Sequence, residues 1–227
     1  MQLIMKQSNV LGSNKTIKRR RGRPTKQESI GLPLEDLVVE AGKQACCEHG
    51  VHGLTVEHIL QKAGISRPTF YKLYKNKEMV LEVVCEQVQQ KLVKAMKKAL
   101  VESSSQPGTK EPITDRVIDA YLEWGMSEGP IVSRLYEAIS DESSIVTQYR
   151  AKAVEALMEI FQDSIVRSGL PKCDPLLLTS LINLIEFLGN PLFSSKPSKA
   201  EIKRVRNIMR MVLDKLLMDN DINSYAF

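Results

Sequence analysis

The chain has 227 residues, 43% hydrophobic and 26% charged, a balance that excludes a disordered or fibrous protein and allows one large domain or a small one beside a medium one. Its net charge of +5 is unevenly spread: residues 1–80 carry 14 Lys and Arg against 7 Asp and Glu, and the rest carry 18 against 20. Four cysteines without CxxC spacing, no 18-residue apolar run and an N-terminus too short for a signal peptide predict a cytoplasmic protein with reduced thiols and no membrane span.

A basic front and a near-neutral rear suggest that the front meets a polyanion, the blander alternative being a solubilising basic tail. Residues 1–32 have no usable hydrophobic period, carry the run Lys18 to Lys26 and read as a mobile basic arm. The first helix is expected from Leu34 to His49, with Val38, Ala41, Gly42, Ala45 and Cys46 on its apolar stripe and Gly50 ending it. Thr55 suits the N-cap of a short second helix, Gly64 the left-handed turn after it, Ser66 the cap of a third helix with Pro68 in its first turn, and Asn76 the cap of a long fourth. Ser103 to Gly108 reads as a loop. Further helices are expected at about 112–127, 130–140, 143–168, 174–189 and 198–218, punctuated by prolines, with no alternating strand pattern. The fold class is therefore all-α. Its expected organisation is an arm at 1–32, a three-helix helix-turn-helix domain at 33–78, a helical effector-binding and dimerisation domain at 79–220, and a tail at 221–227.

The segment from Leu54 to Lys77 has the grammar of a DNA-binding helix-turn-helix, whose second helix enters the major groove N-terminus first. Arg67 can donate twice to a guanine edge, and Pro68 and Thr69 can meet a thymine methyl or a phosphate. Tyr71 and Lys72 point outward one turn on, while Ile65 and Phe70 hold the helix to its neighbour. Lys77 at the head of the fourth helix and Thr55 at the head of the second suit phosphates.

Residues 34–80 resemble the DNA-binding domain of the TetR/AcrR family of bacterial transcriptional regulators. The resemblance is carried by Glu40 and Ala41, Gly50, Thr55 and Val56, Ala63 to Ser66, Thr69 to Tyr71, and Lys77 with Glu78. It implies a homodimeric, usually repressing regulator whose rear domain binds a small molecule and so resets the spacing of two DNA-reading heads. It carries Thr55, Arg67, Thr69, Tyr71 and Lys77 over as DNA contacts. Three positions depart from the family pattern: Glu57 where Arg is frequent, Leu73 where Tyr or His is common, and Ala45 with Cys46 where Leu and Phe are usual. The last departure predicts a loosely packed head.

Arg21, Gly22, Arg23 and Pro24 are similar to the core of an AT-hook. Arg21 and Arg23 could lie in a narrow A/T-rich minor groove or bind DNA by charge alone. In the rear half, Leu177, Leu181, Leu184, Ile185 and Leu188 form one stripe. Ile202, Val205, Ile208, Met209, Val212, Leu213 and Leu216 form another, and two such hairpins would build a four-helix dimer interface, unless both stripes pack inside one chain. Met96, Tyr121, Trp124, Tyr136, Met158 and Phe161 are the candidates to line an apolar effector pocket, against the plainer reading of core. No nucleophile-elbow, P-loop, dinucleotide or zincin motif is present and all three histidines lie in the front, so neither an enzyme nor a cofactor nor a metal is expected. The function that follows is a sequence-specific DNA-binding regulator, a repressor released from a palindromic operator by a small molecule. The alternative is an architectural or effector-independent DNA-binding protein relying on its basic arm.

Overall fold

The computed structural model describes residues 33–105, 112–167, 169 and 171–218. The expectations placed on the basic arm, including Arg21 and Arg23, and on the tail at 221–227 fall outside the described residues. Those residues form nine helices and no strand. In chain order they are α1 (Leu34–Gly53), α2 (Val56–Ala63), α3 (Arg67–Leu73), α4 (Lys77–Ser105), α5 (Ile113–Glu128), α6 (Pro130–Glu137), α7 (Ile145–Arg167), α8 (Pro175–Phe193) and α9 (Lys199–Met218).

Most helix starts are written in side chains that accept an orphan backbone N–H. Thr55 Oγ1 accepts from His58 N at 3.2 Å, Ser66 Oγ from Thr69 N at 3.4 Å and Asn76 Oδ1 from Met79 N at 3.0 Å. Asp174 accepts from Leu177 N at 3.0 Å, and Ser198 and Glu201 cap each other reciprocally at the start of α9. Gly64 sits at φ 68°, ψ 34°, the left-handed conformation that turns α2 into α3.

Three element ends differ from expectation. Gly50 does break the α1 helix, at φ 71° and ψ 172°, but one further turn follows it to Gly53. Ser103 to Ser105, expected in a loop, complete the last turn of α4, and the remainder of that stretch lies outside the described residues. α8 runs through Pro191 to Phe193 instead of stopping near residue 189. Burial of Leu192 and Phe193 draws this last turn onto the core, and offsets the one backbone hydrogen bond the proline cannot make.

Three apolar clusters organise the chain. The head cluster joins α1, α2, α3 and the start of α4 around Val38, Ala45, Ile59, Phe70 and Val80, all fully buried. A junction cluster sets Cys46 of α1 and Val84, Cys85 and Val88 of α4 against Ile131 and Leu135 of α6 and Val146 of α7. The rear core gathers α4, α5, α7, α8 and α9 around Met96, Ile118, Tyr121, Leu181, Phe193 and Met209. α4, about 44 Å long at 1.5 Å per residue, belongs to all three and is the spine joining head to rear.

The head is not loosely packed. Ala45 and Cys46 are fully buried, and a Cβ added to Gly42 would fall 2.6 Å from Val80 Cγ1. Small residues on α1 bring it closer to α4, so the volume lost with larger side chains is recovered by approach and not left as a void. α8 is long and apolar enough to cross a bilayer by length and composition alone, and a third of that window is buried. It packs against α5, α6, α7 and α9, with Leu178, Leu181, Ile182, Leu192 and Phe193 buried.

The sequence stripes of α8 and α9 mostly face this chain's own core. Leu181, Met209 and Leu213 are buried in the rear cluster, and Leu177, Ile185, Leu188, Ile202, Val205, Val212 and Leu216 pack against it. The outward apolar residues are others: Leu176 is 75% exposed, Phe187 64% and Met211 61%. The 3.6-residue period identifies an apolar face, but it does not say which of two flanking faces meets the core.

Candidate nucleic-acid interface

α3 is a short helix held by one anchor. Phe70 is fully buried between α1, α2 and α4, and its ring meets Tyr71 edge-on and Tyr74 at a tilt. With Phe70 fixed inward, the 100° step of the helix leaves Arg67, Pro68, Tyr71 and Lys72 exposed. Thr69 is half-buried, and its hydroxyl is 2.8 Å from Ser66 Oγ. Thr55 is exposed at the start of α2, beside α3 in the chain's reading unit.

Two of the expected cationic contacts already have partners. Arg67 donates to Glu57 Oε2 at 2.7 Å, linking α3 to α2 across the turn, and both side chains are more than half exposed. This hydrogen bond, and then Tyr71, hold the Arg67 guanidinium above its ordinary pKa. Lys77 donates to the carbonyl of Leu54 at 2.7 Å and lies 4.0 Å from Glu78, so its ammonium closes the α1–α2 turn. Sequence reasoning noticed Glu57 as a departure but missed its pairing with Arg67. The ten-residue separation crosses a turn, and only the angle between α2 and α3 brings the two together.

The head is tied to the rear by polar contacts as well as by the junction cluster. Glu128, at the end of α5, accepts from Lys43 of α1 and Lys91 of α4, each at 2.7 Å, with its own side chain only 5% exposed. Burial alone would push this carboxyl up, but the two ammonium groups more than reverse that and hold it below its usual value. Arg134 of α6 donates from Nε to the carbonyl of Cys47 at 3.1 Å. None of these groups carried a sequence signal, because each pair is between 37 and 87 residues apart.

The rear domain holds a cavity of about 170 Å³ between α4, α5, α7 and α8, lined mainly by aliphatic side chains. Of the six candidates, Met96, Tyr121 and Phe161 line it. Trp124 and Tyr136, with Tyr121 again, line a smaller space of about 60 Å³ next to it. Met158 lines neither; it packs against the rear core, where Thr179 Oγ1 lies 3.2 Å from its sulfur. The thiols of Cys46 and Cys85 are pushed up to about 12, chiefly by burial, which makes them inert packing groups. Among the described residues, no three His, Cys, Asp or Glu side chains gather into a metal site.

Residues 38–84 match the family model described as bacterial regulatory proteins, tetR family. That segment contains α2, α3, the turn between them and the α1–α4 contact that holds them. The head of the chain thus carries a tetR-family DNA-binding domain. Solved structures agree on the whole architecture. Salmonella enterica GusR superposes with a TM-score of 0.63 at 14% identity, covering 85% of this chain and 99% of its own. The fatty acid degradation regulator FadR of Bacillus halodurans does so with 0.61 at 16%, covering 79% and 95%. PfmR of Thermus thermophilus, a TetR-family transcriptional regulator, gives 0.57 at 18%, covering 78% and 96%. At these identities the superpositions establish the shared fold. No curated protein matches the chain. With a helix-turn-helix head that matches this model of regulatory proteins, it is a DNA-binding transcriptional regulator.

Proposed function

We propose that the protein is a repressor that grips a palindromic operator as a homodimer in the cytoplasm and lets go when a small molecule enters the rear cavity, without catalysing a reaction. The observation that carries this reading is the α3 surface. Arg67, Pro68, Tyr71 and Lys72 stand exposed together around the buried Phe70, on the second helix of a helix-turn-helix, the element that enters the major groove in that motif. Thr69 completes the set from its half-buried position, Thr55 and Lys77 supply phosphate contacts, and the arm residues Arg21 and Arg23 add electrostatic affinity.

The Arg67–Glu57 pair does not oppose this. An exposed ion pair contributes about 0–1 kcal/mol, while a bidentate arginine–guanine contact discriminates by roughly 1–3 kcal/mol. Guanine therefore wins Arg67 from Glu57, and a base that cannot accept twice leaves Arg67 paired where it is. Glu57 thereby sharpens recognition.

The dimer is proposed to use the outward face of α8 and α9, with Leu176, Phe187 and Met211 at its centre in place of the stripes that the rear core consumes. Such an interface would hold two α3 helices roughly 34–36 Å apart, one turn of B-DNA. Effector binding between α4, α5, α7 and α8 reaches the head through the Glu128 and Arg134 contacts. Duplexes selected by the purified protein from a random pool at physiological salt test the reading. A two-fold symmetric site supports it, and A/T-rich sequence without symmetry favours the effector-independent alternative. No enrichment excludes both.

A further inference from the structure

The two rear cavities meet at Tyr121 and Glu186, which line both. The larger is an apolar chamber of about 170 Å³. A cavity of 150 Å³ accepts benzene, so this one suits an apolar body of about seven carbons. The smaller, about 60 Å³, is also lined mostly by apolar side chains, but Tyr136, Arg150, Glu186 and Asn190 bring polar groups to it.

The charges in the smaller chamber are already matched. Arg150 donates from Nε to Glu186 Oε2 at 3.0 Å and again from a terminal nitrogen, which also reaches Asn183 Oδ1 at 2.6 Å. The cation is spent on protein acceptors, and an arriving anion would face the Glu186 carboxylate in a site of low dielectric. One acceptor at its wall is unmet. Asn190 Oδ1 is buried with no hydrogen-bond partner among the described residues, an arrangement that costs free energy until a donor arrives. Tyr121 lines the same chamber, its ring lying so close over α8 that a Cβ on Gly189 would fall 2.5 Å from Cε1 and 3.1 Å from the phenol oxygen.

We propose that the effector is an amphiphile with an apolar body of about seven carbons and a hydrogen-bond-donating alcohol or amine head in place of an anionic one, seated with its body in the larger cavity and its head between Tyr121, Glu186 and Asn190. This rests on the effector-released reading of the rear domain and gives that effector its chemical class. Carboxylates and phosphates are selected against by Glu186, and pure hydrocarbons leave Asn190 unsatisfied.

Heptan-1-ol, heptylamine and heptanoate share one body and differ only at the head. Trp124 is the only tryptophan of the chain and lines the smaller chamber, so its emission reports occupancy directly in the full-length protein at pH 7.5. The alcohol and the amine are expected to shift that emission saturably, with heptanoate at least tenfold weaker. Tyr121→Phe, which keeps the ring on Gly189, and Asn190→Leu, which removes the orphan acceptor, should each weaken heptan-1-ol about tenfold relative to its effect on heptane. Binding of heptanoate as tight as that of the alcohol overturns the proposal, as does an alcohol affinity unchanged in both variants, or no saturable shift with any probe. Release of a selected duplex by heptanoate would overturn the ligand class and leave the regulator reading standing. A protein that selects no duplex fails at that reading instead.

Discussion

Replacing Glu128 by Gln removes one charge from a site where α5 reaches both α1 and α4. Breaking a fully buried ion pair by deleting one partner costs about 3–5 kcal/mol. Here the carboxylate is buried, but Lys43 is 23% exposed and Lys91 56%, so both ammonium groups can turn toward water and recover part of their hydration. The expected loss is about 1–2 kcal/mol, which for a chain of this size lowers Tm by about 2–8 °C. Thermal unfolding at fixed protein concentration measures it, and a double-mutant cycle with Lys43→Met isolates the pairing. A coupling of about 1 kcal/mol is expected between Glu128 and Lys43, and a smaller one between Glu128 and the more exposed Lys91. If Glu128→Gln and Lys43→Met add to within about 0.5 kcal/mol, the two residues act independently and the proposed tie between head and rear is refuted.

The same carboxyl sets a pH dependence. Its folded pKa lies below the unfolded value, so its contribution is present above the ordinary carboxylate range and is lost as pH falls through the folded value. Glu186 has the opposite sign: burial pushes its carboxyl up against the pull of Arg150, so its contribution is lost as pH rises through the raised value, and Glu186→Gln should flatten that limb of a stability–pH profile. Gly64→Ala forces a Cβ into the left-handed turn and should cost about 1–2 kcal/mol, read by urea unfolding. A Thr69→Ala, Tyr71→Ala double variant that remains folded should lose at least tenfold in affinity for a selected duplex, whereas Lys72→Ala should weaken all duplexes alike and lower the salt slope by about 0.9; both follow from fluorescence anisotropy titrations. Phe187→Glu places a charge on the outward face of α8 and should shift the protein to monomer in sedimentation velocity, without disturbing the helical content.

The sequence by itself determined the nine helices, because each is announced by local chemistry: hydroxyl, Asn or Asp caps at Thr55, Ser66, Asn76 and Asp174, glycine where the backbone must turn left, proline at the first turn of a helix. It also determined the exposed face of α3, since burying Phe70 leaves Arg67, Tyr71 and Lys72 nowhere to go but outward. What only the tertiary structure decided lies in pairs far apart along the chain. No periodicity could show that Glu57 takes Arg67, that Glu128 gathers Lys43 and Lys91, or that Tyr121, Glu186 and Asn190 face one chamber. Nor could it choose the core-facing side of α8, where apolar residues occur nearly all round: Leu181 went inward and Phe187 outward because α5, α7 and α9 close over one side alone. Local signals act over a few residues of backbone, whereas packing and ion pairing depend on helix angles that the folded chain sets as a whole.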